Sequence, residues 1–365
     1  MPLRNEIADL SASDLRRLVG EGQLSPVEIV DACIARVERC NGVVNAIVTL
    51  NPRARDDARA LEREVARGNV GPLCGIPVGI KDVTPVAGLR TTYGSPVYAE
   101  HVPMVDALVV QRLRAAGAVI LGKTNCPEFA AGGNTFNDVF GRTRNPWNPE
   151  RSAGGSTGGG AAALATGMIA LAEGTDLGGS LRIPASFCGL VGLRPSAGLV
   201  PTWPSDWLWD TLQVTGPIAR TAEDVGLMLD AVAGPSPLVP IAQPVDGRAF
   251  ARAAAAPLRR GIRIAYTPDL IGIGPPGPLQ RRLRRFREPP LVLAVVEDGR
   301  AVLIAPIAKL AVHREGVDVA PEVLQKLLIA HLRGVVPDFD RLRVPGAAGR
   351  HLLVAGIRLL TAGVS

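Results

Sequence analysis

Two serines, Ser156 and Ser180, each directly follow a Gly-Gly pair in the stretch SAGGSTGGGAAALATGMIALAEGTDLGGSLRIP, which runs from Ser152 to Pro184. Glycine loses more conformational freedom on folding than any other residue. Clusters such as Gly154-Gly155, Gly158-Gly159-Gly160 and Gly178-Gly179 therefore belong where backbone closely approaches another group or takes positive φ. A hydroxyl beside exposed backbone N–H groups has the parts of a nucleophile with its oxyanion hole. Such a nucleophile needs a base. Only four lysines (Lys81, Lys123, Lys309 and Lys326) stand among the 40 basic residues. A lysine retained in an arginine-rich chain is informative, because it can be desolvated into a neutral base while arginine stays protonated. Lys81-Asp82 ends the apolar run Ile76–Ile80, read here as a short buried strand, and strand ends in open α/β sheets line the crevice. Taken alone, a strand-end lysine is more often a surface group; the arginine bias moves Lys81 toward function.

The elements that must position these groups are legible around them. Ser25-Pro26-Val27-Glu28 predicts a helix start, with serine as N-cap, proline at the first helical position and glutamate completing a capping box. Ile29, Ile34 and Val37 then form one apolar stripe. A charged scaffold helix is expected over Pro52–Ala66, a further helix over Asp106–Ala116 and a strand over Ala118–Leu121. Gly132–Pro149, rich in Gly, Asn and Pro, reads as a long loop delivering the chain to Ser156. The small-residue stretch from Gly160 toward Ala172 predicts a helix packed close to a neighbouring layer, passing near Ile169–Ala172 into the Ser180 segment. Thr221-Ala222-Glu223-Asp224 caps a helix through Val225–Val232, and Gly261–Thr267 holds a strand.

Two local patterns mislead. Gly117-AVIL-Gly122-Lys123-Thr124 matches a phosphate loop letter by letter, but its middle residues are themselves the strand that such a loop must follow. Gly154-Gly155-Ser156-Thr157-Gly158 matches G-x-S-x-G, yet Glu150-Arg151-Ser152-Ala153 is not the apolar strand that a nucleophile elbow requires. Composition narrows the classes further. The chain has 365 residues, 47% of them hydrophobic, enough for one large or two smaller domains with a real core. The opening MPLRNEIADL lacks an apolar signal core, and the run Gly160–Ala172, interrupted by Thr166 and Gly167, is too short to cross a bilayer. A soluble cytoplasmic protein is the expectation. Five scattered cysteines without a C-x-x-C pair argue against a disulfide framework or a zinc site. The net charge of +6 reflects arginine usage more than nucleic-acid binding, because Arg281–Arg287 has no interleaved aromatic platform.

The segments GIPVGIKD, GKTNCPEFA, AGGSTGGG and GTDLGGSLRIPASFCGLVGLRP, followed by GPIAR and TAED, resemble the amidase-signature hydrolases. The resemblance implies an α/β fold with a mixed central sheet and helices on both faces. It also implies a Ser-cisSer-Lys group: Ser180 as nucleophile, Ser156 as bridging serine on a cis peptide after Gly155, and Lys81 as base. The amides of Leu177, Gly178, Gly179 and Ser180 are then expected to face the carbonyl oxygen. Asp176 and Arg182 are expected to hold that loop, and Thr157 to keep a hydroxyl where the family commonly has a second serine. The implied reaction is hydrolysis of a linear carboxylic amide to an acid plus ammonia or an amine through an acyl-enzyme. It calls for no organic cofactor and no metal. The expected partner is a small-molecule amide, not nucleic acid or membrane, with a homodimer allowed.

The likeness fades after about Gly274. The expected organisation is an amidase-signature domain over 1–274, with its catalytic core at 73–235, and a region over 275–365 that is atypical or truncated for the family. Trp203, Trp207 and Trp209 fall in a loop expected on the pocket side, with a core or surface role equally compatible. Three rivals stay open: a member of an amidotransferase complex that hydrolyses glutamine, a catalytically impaired relative serving as a scaffold, and an esterase using Ser156 as nucleophile.

Overall fold

Helices begin where the sequence supplies caps. In the computed structural model, which describes residues 6–245 and 249–256 and the backbone of 263–267, 292–297 and 300–304, Ser11 Oγ accepts from the Asp14 N–H at the start of α1 (Ala12–Gly20). The predicted capping box opens α2 (Pro26–Val44): Ser25 Oγ accepts from the Glu28 N–H at 3.1 Å, and the Ser25 N–H donates to Glu28 Oε2 at 2.8 Å. Asn45, at φ +52°, ends α2 in a left-handed conformation that asparagine tolerates. The chain then enters β1 (Ile47–Leu50), followed by α3 (Ala54–Ala66).

β2 (Pro77–Lys81), α4 (Leu108–Ala115) and β3 (Val119–Thr124) come next. β3 runs through Gly122, Lys123 and Thr124, so the apparent phosphate loop is strand. The expected loop over 132–149 contains a small hairpin, β4 (Phe136–Asn137) with β5 (Gly141–Arg142). Ser156 follows an isolated Arg144–Ser152 bridge, not a strand, so the elbow context is missing.

The small-residue helix α5 (Gly158–Ala165) is shorter at its end than the sequence pattern suggests. Gly167, at φ +74°, stops it in a Schellman arrangement: the Met168 N–H donates to Ala163 O and the Gly167 N–H to Leu164 O. The remaining apolar residues then enter β6 (Leu171–Asp176). α6 (Arg182–Cys188), β7 (Val191–Gly192), β8 (Val214–Ala219), α7 (Ala222–Val232) and α8 (Ala249–Ala255) follow, with Thr221 Oγ1 accepting from the Asp224 N–H to cap α7.

Six strands form one mixed sheet in the order β1-β3-β2-β6-β8-β7. β3, β2 and β6 are parallel at its centre, and the outer pairings are antiparallel. All residues of β2 and β6 are buried, as expected of central strands covered on both faces. Ile120, Leu171 and Ala219 face a core shared with α1, α4 and α7, while Val119, Leu121, Ala172 and Ile218 face a second core with α2, α3, α5 and α6. Each fully buried aliphatic side chain is worth about 1.5–3 kcal/mol, so a one-residue slip, which would exchange the faces, is strongly disfavoured. The α/β class and the two helical faces are as the resemblance implies.

Contacts divide the chain into Met1–Ala255 and Ala256–Ser365. The described backbone of the second unit is an antiparallel sheet of β9 (Arg263–Thr267), β10 (Val292–Glu297) and β11 (Arg300–Ile304), with Val295 opposite both Ile264 and Val302. Arg281–Arg287 lies outside the described residues.

α5 has small residues because backbone lies against it. A Cβ on Gly159 would fall 2.2 Å from the Asn125 backbone nitrogen, whereas one on Gly160 would meet side-chain atoms alone, the nearest at 3.2 Å. Gly159→Ala is expected to destabilise the protein by about 1–3 kcal/mol through overpacking, and Gly160→Ala to be near neutral because the gain in helix propensity offsets a mild clash. Urea denaturation of the two variants checks this; equal midpoints would refute it.

Candidate active site

Lys81 sits at the end of β2 with its side chain completely buried. Its Nζ donates to Ser156 Oγ at 2.7 Å and to Thr175 Oγ1 at 2.9 Å. Ser156 comes from the turn that leads into α5, and the Gly155–Ser156 peptide is cis. A Cβ on Gly155 would lie 2.8 Å from the Asn134 backbone nitrogen, so only glycine lets this turn approach so closely. The neighbouring Thr157 N–H donates to Ser180 O at 3.2 Å, which ties the two serine segments together. Ser180 itself is half-buried. Among the described residues, no hydrogen bond joins Ser180 Oγ to Ser156 Oγ; catalytic hydrogen bonds in unliganded enzymes often tighten only when substrate binds.

Burial pushes the Lys81 amine down to about 8, against the opposing pull of Cys126, Glu173 and Asp176. Among the described residues no carboxylate forms an ion pair with it, and its two short partners are hydroxyls. A second buried lysine, Lys123, donates to Thr84 O and to Thr91 Oγ1, and burial likewise pushes it down to about 8, with Asp82 opposing.

The loop between β6 and α6 is fastened by Asp176. Its carboxylate accepts from the Gly179 N–H at 2.8 Å and the Leu181 N–H at 3.1 Å, from Arg182 Nε and Nη2 at 3.0 and 2.9 Å, and from Arg194 Nη1 at 3.2 Å. The Gly179 amide, expected to face the carbonyl oxygen, here donates to Asp176. The N–H groups of Leu177, Gly178 and Ser180 have no hydrogen-bond partner among the described residues. Thr157 Oγ1 reaches Thr175 O only at 3.4 Å, a weak contact.

A cavity of about 140 Å³ opens beside Thr175, lined by Thr84, Phe129, Trp203, Gln213 and Thr215 among others. Trp203 lines this cavity and Trp207 edges a smaller neighbouring one, and both Trp207 and Trp209 are exposed.

The family model for Amidase matches residues 28–289. The chain belongs to the amidase family. It is 45% identical over 229 residues to a glutamyl-tRNA(Gln) amidotransferase subunit of Roseiflexus sp. (strain RS-1), a match covering 62% of this chain and 47% of that protein. It is 42% identical over 267 residues to an acylamidase of Rhodococcus erythropolis, covering 73% and 56%. The solved structure of a bacterial aryl acylamidase of the amidase-signature family superposes with a TM-score of 0.62 at 35% identity, covering 65% of this chain and 50% of that one. The peptide amidase of Stenotrophomonas maltophilia gives 0.61 at 33%, covering 67% and 52%. This amidase-family chain thus spans about half the length of the relatives it matches. No helix among the described residues is long and apolar enough to cross a membrane.

Three polar residues of the site escape the sequence reading. Thr175 and Glu173 precede Asp176 at strand spacing, and the acid inside Leu-Ala-Glu-Gly-Thr-Asp was the available signal. Arg194 offers none, since only the fold brings it to Asp176. Burial alone would raise the Asp176 carboxyl, but Arg182 and the amides of Gly179 and Leu181 outweigh it and hold the group at about 2, below its ordinary 3.8. A depressed folded-state value stabilises above the ordinary one, so about 2 kcal/mol should be lost as pH falls from about 4 to about 2. Urea denaturation across this range is expected to show the gap between the native chain and Asp176→Asn narrowing toward acid; a constant gap would refute the assignment.

Proposed function

We propose that this chain carries the catalytic apparatus of an amidase that hydrolyses a linear carboxylic amide through an acyl-enzyme on Ser180. The supporting observation is the 2.7 Å hydrogen bond between Ser156 Oγ and a buried Lys81 amine that has no ion pair among the described residues, one peptide from the segment bonded to Ser180. Neutral Lys81 takes the Ser156 proton while Ser156 takes that of Ser180. The Ser180 oxygen attacks the amide carbon, and negative charge gathers on the carbonyl oxygen against the free amides of Leu177, Gly178 and Ser180. The proton held by Lys81 returns through Ser156 to the leaving nitrogen as the C–N bond breaks. Water then enters by the same relay, forming the carboxylic acid and restoring Ser180.

The relatives named as glutamyl-tRNA(Gln) amidotransferase components favour a second reading, in which the amide is glutamine and the ammonia passes to a partner protein. Glutaminase activity and co-purification with a partner distinguish it from a free-standing amidase.

Labelling with a fluorophosphonate, followed by peptide mapping against a heat-denatured control, tests the site before any substrate is known. Label on Ser180 in the native protein only is expected, and label on Ser156 or on neither would overturn the assignment. Lys81→Arg should lower turnover by about 10²–10⁴, because arginine cannot become the neutral base. For the native chain, kcat/KM should rise with pH through about 8, where Lys81 loses its proton.

A further inference from the structure

β6 places an acid, Glu173, in a strand whose six residues are all buried. Glu173 Oε2 accepts from the Lys81 backbone N–H at 3.0 Å, and Oε1 accepts from the Thr84 hydroxyl at 2.9 Å. Both oxygens are therefore satisfied, as a buried carboxylate requires. The ladder between β2 and β6 pairs Val78 with Leu171 and Gly79 with Ala172; beyond it, the Glu173 side chain takes the N–H of Lys81. Strand alternation sets Glu173 and Thr175 on the same side of β6. One strand thus grips Lys81 twice, at its backbone through Glu173 and at its amine through Thr175.

We infer that Glu173 is a positioning residue for the reaction, holding the backbone of Lys81 and setting a carboxyl group close to its buried amine. The inference rests on Lys81 being the base. The other groups around Lys81 do not replace that carboxyl. Cys126, beyond the end of β3, is pushed up to about 12 by burial and stays a neutral thiol near neutrality. Asp176 is engaged by Arg182 and Arg194. Asp82, the next residue on the chain, accepts from the Thr92 N–H and hydroxyl and faces Lys123, which also lies near Glu173. On balance burial raises the Glu173 carboxyl, with Thr84, the Lys81 N–H and the two lysines opposing it.

The carboxyl has a use. A buried amine with no anion near it would be too weak a base to take a serine proton, and one fully ion-paired would stay protonated; a base works best when its titration lies close to the operating pH. Glu173, near the lysine but bonded to its backbone and not to its amine, supplies the intermediate case.

The test is the second-order rate at which a fluorophosphonate labels Ser180 in the full chain, measured against pH, which needs no known substrate. Glu173→Gln preserves size and an acceptor for the Lys81 N–H while removing the charge. Its acid limb should move down by about one pH unit. A residue that only shaped the fold would lower the rate at all pH values and leave the limb in place. Thr84→Val leaves the carboxylate but removes the hydroxyl that stabilises its charge, and should move the limb the same way by less. It carries the test if the glutamine variant does not fold. A limb unmoved or raised in the folded variants overturns the inference. A native chain that takes no label on Ser180 overturns the Ser180–Lys81 reading beneath it.

Discussion

The site turns on keeping the Lys81 amine in the interior with no direct ion pair among the described residues. An ammonium removed from water is expensive unless matched by charge, and the usual outcome is a shift toward the neutral form. Here the amine of Lys81 has two hydroxyls as its near partners, and the neighbouring carboxylates are committed elsewhere, Asp176 to two arginines and Glu173 to backbone and Thr84. Neutral hydroxyls can accept from an ammonium or donate to an amine without rearrangement. That versatility suits the proton relay proposed for Lys81.

Everything around Lys81 follows from the closeness this demands. Ser156 can reach the end of β2 only if its turn and the first residues of α5 lie flush on neighbouring backbone, and the glycines at 155, 158 and 159 leave space that no Cβ could share. Depletion of large side chains is thus a packing requirement of the site. The helix gives up propensity for it, at about 1 kcal/mol per glycine relative to alanine, and recovers stability by packing between layers, with all of its residues but the last fully buried.

Local signals in the sequence were readable wherever the physics is local. The capping box at Ser25 and Glu28, the cap at Thr221 and the buried strand leading to Lys81 depend on residues a few positions apart. The Gly-Gly-Ser pairs marked both serines, and the Gly155–Ser156 cis peptide implied by the family resemblance is present. What could not be read was direction. Four amides around Ser180 look equivalent in one dimension, yet Asp176 turns that of Gly179 inward. Arg194 and Thr175 become neighbours of the site only once β6 has paired with β2 and β8. The extent of α5 lay between these cases, since its stop signal at Gly167 was visible but its force depended on a left-handed turn that only the three-dimensional chain displays.

The topology has a reach beyond the site. Lys81, Ser156 and Ser180 all lie within Met1–Ala255, and β2, which ends in Lys81, pairs directly with β6, which leads to Ser180. The three residues proposed to relay protons are therefore encoded in a single uninterrupted block of sequence. A fusion or replacement downstream of such a block can change what is recognised without touching the proposed relay.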